Sequence, residues 1–361
     1  MGHQSAKTEG CSKVIPSAKY LTFVTTVLLL WALAACGTEP LYRFQYVCLH
    51  RSLPPCIAAE TFVERVSERT DGRVQIEISS YAELNLDRTI TLELARDGTV
   101  EFAEVTGKNF DILYMDNFFG LYDDFETQAK VTEAIRGDIE RIIEERTGTE
   151  VLAYQYYPSN YYFAKKPILT VEDIKDLKIR SPSPVLQDLL DGMGTAPPPN
   201  ITLTKVYDRL ESGVLDAAIT CSACGLNLKW YEVTGYLMGP IVNLGHSWMV
   251  MNKEKWTALP SEIQEVIREE AAVLEELTQR NALTTWDQVG VQGNIEKGME
   301  LVKITPELKE LARRASLTRE FPEWIERVGG LSSEAVAIYN EKVAPILKVK
   351  IAADGQAIEV K

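Results

Sequence analysis

The sequence predicts an α/β protein whose two lobes face each other across a ligand cleft. Three observations carry that prediction. Helical apolar periodicity alternates with short period-two strands, glycine turns separate the two, and one helix-glycine-strand unit recurs later in the chain. The 361 residues, 45% hydrophobic and 25% charged, suit roughly two domains of about 150 residues each.

The formal net charge is −14, and residues 1–35 hold Lys7, Lys13 and Lys19 against Glu9, so the remainder carries −16. A chain this acidic repels nucleic acid and anionic lipid surfaces, and no nucleic-acid partner is expected.

The run "YLTFVTTVLLLWALAAC" (20–36) is apolar, flanked by basic residues and closed by small ones. That is the form of a secretory signal, and it is short for a membrane span. Its end, Leu33-Ala34-Ala35-Cys36, resembles a bacterial lipobox, which predicts Cys36 as the lipidated mature N-terminus. The expected division is a signal over 1–35 and a linker over 36–43, with the bulk of the chain outside the cytoplasm and anchored to the membrane through the lipid. The stretch before the apolar run is long for a signal, which places the expected start downstream of Met1.

In the globular part, Ala59, Phe62, Val63 and Val66 share one helical face, "TDGR" makes a turn, and Val74, Ile76 and Ile78 alternate in a strand. The same order returns at 92–106, 139–157 and 206–220, which predicts largely parallel strands. The units around Gly98 and Gly213 resemble each other down to a threonine at the strand end, Thr106 and Thr220. Those two are expected to face one another across the cleft.

In "DLKIRSPSP" (176–184), Leu177 and Ile179 alternate with Lys178 and Arg180 before Pro182 and Pro184, which cannot donate to a ladder. The strand should stop at Arg180, at the carboxyl end where α/β sheets bind ligands, and arginine there offers a planar fork to a carboxylate or phosphate. A surface ion pair is the alternative on this segment alone. "YQYYPSNYYF" (154–163) gathers Tyr157 and four further tyrosines around Pro158 and Asn160, where a strand is expected to give way to a loop. Tyrosine faces suit a small organic solute; packing at a hinge is the competing reading. "CGLNLKWYEVTGYL" (224–237) reads as a helix starting at the cleft. Residues 259–301 read as one long helix, kinked near Gly290 or Gly293, followed by two shorter helices around 306–315 and 333–344.

Catalytic motifs are missing: there is no HExxH, GxSxG, GxGxxG or Walker loop. No cofactor is expected. Cys48, His50 and Cys56 lack the spacing and fourth ligand of a zinc site. Cys221 and Cys224 have redox-motif spacing without a thioredoxin context, so buried small residues or a local disulfide are expected there. An extracytoplasmic CxxC oxidoreductase is the alternative class.

"VEDIKDLKIRSPSPVLQDLLDGMGTAPPP", "KVYDRLESGVLDAAIT" and "WYEVTGYL" resemble the TRAP transporter solute-binding proteins of the DctP family. "AAETFVERVSERTDGRVQIEIS" and "LDRTITLELARDGTVEFAEV" are similar to that family's N-terminal lobe. The resemblance runs from about residue 44 to the early 340s. It implies a type II periplasmic binding protein, with crossing strands and a long helix joining lobe I (44–157 and 245–285) to lobe II (158–244 and 286–345) ahead of a C-terminal tail (346–361). It also implies an organic-acid ligand and membrane permease subunits as partners; delivery to a sensor is the runner-up. Residue by residue, it puts Arg180 where the ligand carboxylate is paired, Thr220 where an amide often stands, Thr106 at a first-lobe polar position and Leu203 at an aromatic wall position. Asn160 stands where sialic-acid binders have a second arginine. Cys48 and Arg51 come from the first strand-loop, which borders the cleft. With one cationic anchor evident, the expected ligand is a monocarboxylate with an apolar or aromatic body. Arg51 would change that if it reached the cleft.

Overall fold

The computed structural model describes residues 41–87, 90–107 and 110–360. The predicted signal, Cys36 and the linker up to residue 40 lie outside the described residues, whereas Tyr42 and Arg43, expected to end the linker, already belong to the first strand and pair with Val74 and Gln75. Residues 42–361 form one compact unit.

Its frame is one mixed sheet. The strands are β1 (Tyr42–Cys48), β2 (Val74–Ser80), β3 (Phe102–Val105), β4 (Thr149–Ala164), β5 (Ile179–Arg180), β6 (Ala217–Cys221), β7 (Tyr236–Asn252) and β8 (Glu300–Val302). The order is β2-β1-β3-β7-β4-β6-β5, with β8 added on β7. The expectation of largely parallel strands holds at the two ends, where β1 pairs with β2 and β3 and β5 pairs with β6 in parallel. It fails in the middle. β4 and β7, of 16 and 17 residues, run antiparallel along each other and belong to both halves of the sheet.

β4 also corrects the loop expected around Pro158, because it continues straight through. The β4–β7 ladder shifts register between Tyr156 and Ser159, and again on either side of Asn160. Pro158 falls in the first of these gaps, so its missing N–H interrupts no ladder bond.

Helices cover both faces. Pro54–Arg69 and Ser261–Ala282 pack on β1 and β3 through Phe62, Val66, Ile263, Ile267 and Leu274. Phe125–Thr147 covers the opposite face with Val131, Ile135 and Ile142. Each such side chain taken from water contributes about 1.5–3 kcal/mol before the entropy of ordering is counted. The other half of the sheet carries Pro184–Gly192 on one face and Val206–Glu211 on the other. The C-terminal residues fold back as a small hairpin, with Val349 and Ile351 in the core of the first half.

The long helix is two helices, Ser261–Ala282 and Thr285–Glu296, and the break lies at Leu283 and Thr284 rather than at a glycine. Gly290 has a different role. A Cβ there would sit 2.3 Å from the Ala223 amide nitrogen, so the glycine lets Thr285–Glu296 lie directly on Ser222–Asn227. The segment 224–237 likewise holds a short helix and a 3-10 turn, Trp230–Glu232, instead of one helix.

Candidate functional site

Where β3, β5 and β6 end beside the register shifts of β4 and β7, the two halves of the sheet enclose a cavity of about 110 Å³. Arg180, the last residue of β5, lines it while only 5% exposed. The two prolines that end the strand take defined places. Pro182 lines the cavity, and Ser183 caps the next helix by accepting from the Leu186 amide at 3.2 Å, with Pro184 in the first turn, where its missing N–H costs nothing. The residues following Arg180 are thereby fixed at the cavity wall.

Thr106, which follows β3, and Thr220, inside β6, both line the cavity from their separate halves. Asn160 enters at the hinge of β4, its amide donating to Asn243 Oδ1 and to the Asn243 carbonyl, both at 3.3 Å. Leu203 comes from a 3-10 turn, Leu203–Lys205. Tyr157 is held from behind: its hydroxyl donates to the buried Glu104 carboxylate, whose second oxygen accepts the Leu49 amide at 2.6 Å. The neighbouring tyrosines are buried as well. Burial raises the pKa of Tyr154, Tyr156, Tyr161 and Tyr162, so their phenols stay protonated.

Two expected residues stand elsewhere. Cys48 forms a disulfide with Cys56 and is fully buried in the core, and Arg51 lies 3.4 Å from Glu60 and 3.9 Å from Glu83. Neither is among the described residues that line the cavity. Cys48 packs in the core cluster with Cys56 and Phe62, and Arg51 follows in a loop facing two carboxylates. No grouping of three or more His, Cys, Asp or Glu side chains fit for a metal occurs among the described residues.

Sequence reasoning missed much of the wall. His246 on β7 lines the cavity with its ring fixed on every side: Nδ1 accepts from Asn117 Nδ2 at 3.0 Å, and Nε2 donates to the Leu113 carbonyl at 3.1 Å. Tyr154 stacks on the ring at 4.9 Å and Trp248 meets it edge-on at 4.6 Å. The ring is thereby held as a rigid part of the wall, with Nε2 also 3.3 Å from the buried Asp116 carboxylate. Leu49, Leu53, Tyr114 and Phe119 supply apolar surface, and the Cys221–Cys224 disulfide completes it. Among the described lining residues Arg180 is the only permanently charged side chain.

Two α/β lobes strung on one sheet, with an arginine at the wall of the cavity between them, define a bilobed solute receptor. The chain belongs to the bacterial extracellular solute-binding protein family 7, DctP, whose sequence model matches residues 49–319, and it is a TRAP-type solute-binding protein. It is 26% identical over 333 residues to the C4-dicarboxylate-binding periplasmic protein DctP of Rhodobacter capsulatus, covering 88% of this chain and 96% of that one. Identity is also 26%, over 294 residues, to the 2,3-diketo-L-gulonate-binding periplasmic protein YiaO of Escherichia coli K12, covering 78% and 88%. The fold is similar to that of DctP7, a Bordetella pertussis extracytoplasmic solute receptor binding pyroglutamic acid. The TM-score is 0.74 at 20% identity, over 82% of this chain and 99% of that one. A TRAP periplasmic solute-binding protein from Desulfovibrio salexigens with bound orotic acid matches with TM-score 0.74 at 18% identity, over 84% and 99%. The family is one of extracytoplasmic receptors. Among the described residues, no helix is long and apolar enough to cross a membrane.

Proposed function

We propose that this protein captures a small monocarboxylate with an apolar or aromatic body and delivers it to the membrane subunits of a TRAP transporter. The observation that carries the reading is a buried arginine in a largely apolar wall that holds no other Arg or Lys and no Asp or Glu among its described lining residues. A carboxylate leaving water requires a charged, doubly hydrogen-bonded partner, and Arg180 supplies that chemistry at one end. Thr106, Thr220 and Asn160 are the polar groups for the remaining acceptors, and Tyr157, Leu203 and Leu53 the surface for the body. A second carboxylate would find no second Arg or Lys among the described lining residues. Pyroglutamic and orotic acids, bound by two of the structural neighbours, are ring compounds with a single carboxylate, the second of them aromatic, which supports the single-anchor part of the reading. Lobe boundaries at 157/158, 244/245 and 285/286 belong to the same reading, and the register shifts of β4 and β7 and the helix break after Ala282 support it.

Anchoring through a lipid on Cys36 belongs to the same reading. Mass spectrometry of the native N-terminus tests it: an unmodified N-terminus beyond Cys36 would contradict it. The ligand is tested by a thermal-shift panel of pyroglutamate, orotate, branched monocarboxylates, succinate and sialic acid, since a ligand selective for the native state raises the melting temperature.

A further inference from the structure

The loop that follows β1 is braced at every turn. The Cys48–Cys56 disulfide closes it, Leu53 N donates to the His50 carbonyl at 2.9 Å, and Ser52 N donates to His50 Nδ1 at 3.2 Å. Glu104 holds its first residue through the Leu49 amide. Across the cavity, Cys221 caps the helix Ser222–Asn227 by accepting from the Cys224 amide at 3.0 Å while bonded to Cys224. The two braced pieces meet. Leu53, 3% exposed, packs with Cys221, Ala223 and Cys224, and Asn227 Nδ2 donates to the Ser52 carbonyl at 2.7 Å.

We propose that the 49–53 loop and the Cys221–Cys224 turn form a latch between the lobes, one that sets ligand affinity through the balance of open and closed forms. The contact joins a loop of the first half of the sheet to a helix of the second, so it exists only when the cleft is closed. Its residues also line the cavity: Leu49 and Leu53 on one side, Cys221 and Cys224 on the other. A latch made by rigid pieces loses little conformational entropy on closing, so its one hydrogen bond and apolar contact act with little opposing cost. Affinity for a solute that binds the closed form is reduced by whatever fraction of the protein stands open. Asn227 is thus a positioning residue, acting on the ligand through lobe closure, while Leu53 and the Cys221–Cys224 pair act through closure in addition to lining the cavity.

This rests on the cavity being the solute site, but its test needs no ligand. Small-angle scattering of the ligand-free protein compares wild type with Asn227→Ala, Leu53→Ser and Cys221→Ser/Cys224→Ser. Loss of the Asn227 bond is expected to move the balance toward the open form roughly fivefold, the equilibrium worth of one hydrogen bond. Each variant should shift to a larger radius of gyration while still melting cooperatively. A radius equal to wild type in both folded Asn227→Ala and folded Leu53→Ser overturns the latch. If the double cysteine variant does not fold, those two decide alone. Failure of the carboxylate panel with these shifts intact would reject the ligand assignment and leave the latch standing.

Discussion

Tyr157 and Glu104 join two strands through a buried bond, with the tyrosine hydroxyl donating to the carboxylate behind the cavity wall. The same carboxylate holds the Leu49 amide, so one acidic side chain sets the position of both a cavity tyrosine and the loop facing it. Tyr157→Phe should remove one donor from a buried carboxylate, with a loss of stability of about 1–3 kcal/mol. Urea unfolding measures it. A variant as stable as wild type would show that the bond is not needed to satisfy Glu104.

His50 gives the loop a pH dependence. Burial lowers its pKa from the ordinary value, with the nearby Glu83 opposing, and its Nδ1 lone pair accepts the Ser52 amide. The folded state therefore binds the proton less readily than the unfolded chain. Stability from this group is full above the unfolded value of about 6.5 and is lost as pH falls from there toward the lower folded value. His50→Gln should flatten the melting temperature of the protein across that interval. An unchanged slope would contradict the assignment.

Gly290 should not tolerate a side chain, because its Cβ would fall 2.3 Å from backbone at Ala223. Gly290→Ala forces two helices apart and should cost about 1–3 kcal/mol, the usual range for overpacking. Chemical denaturation of this variant beside Gly137→Ala, where nothing lies within 4 Å, separates the clash from an effect of helix propensity.

The site was legible where local chemistry marks an end. The alternation before Arg180 and the prolines after it located the end of β5, and the matched threonines located the ends of two further segments at one cavity. Long-range pairing left no such mark. Nothing local distinguishes a strand that passes through Pro158 from one that stops there, because the register shift that accommodates the proline is made with β7, far along the chain. His246 was missed for the same reason: its neighbours Asn117, Leu113 and Tyr154 come from other segments. The helix break at Leu283 and Thr284 has neither glycine nor proline, the usual local signals for one. The cysteine spacing allowed for bridges but did not indicate that one would wall the cavity and the other brace the facing loop.

The central claim is that Arg180 anchors a single ligand carboxylate, and it is tested most directly by the melting temperatures of wild type and Arg180→Ala across the panel of acids. Truncating one partner of a buried, hydrogen-bonded charge pair costs about 2–5 kcal/mol. A ring or branched monocarboxylate should raise the melting temperature of wild type, raise that of Arg180→Lys less, and leave that of folded Arg180→Ala unchanged. Equal stabilisation of wild type and Arg180→Ala, or a preference of wild type for succinate or sialic acid, would contradict the account.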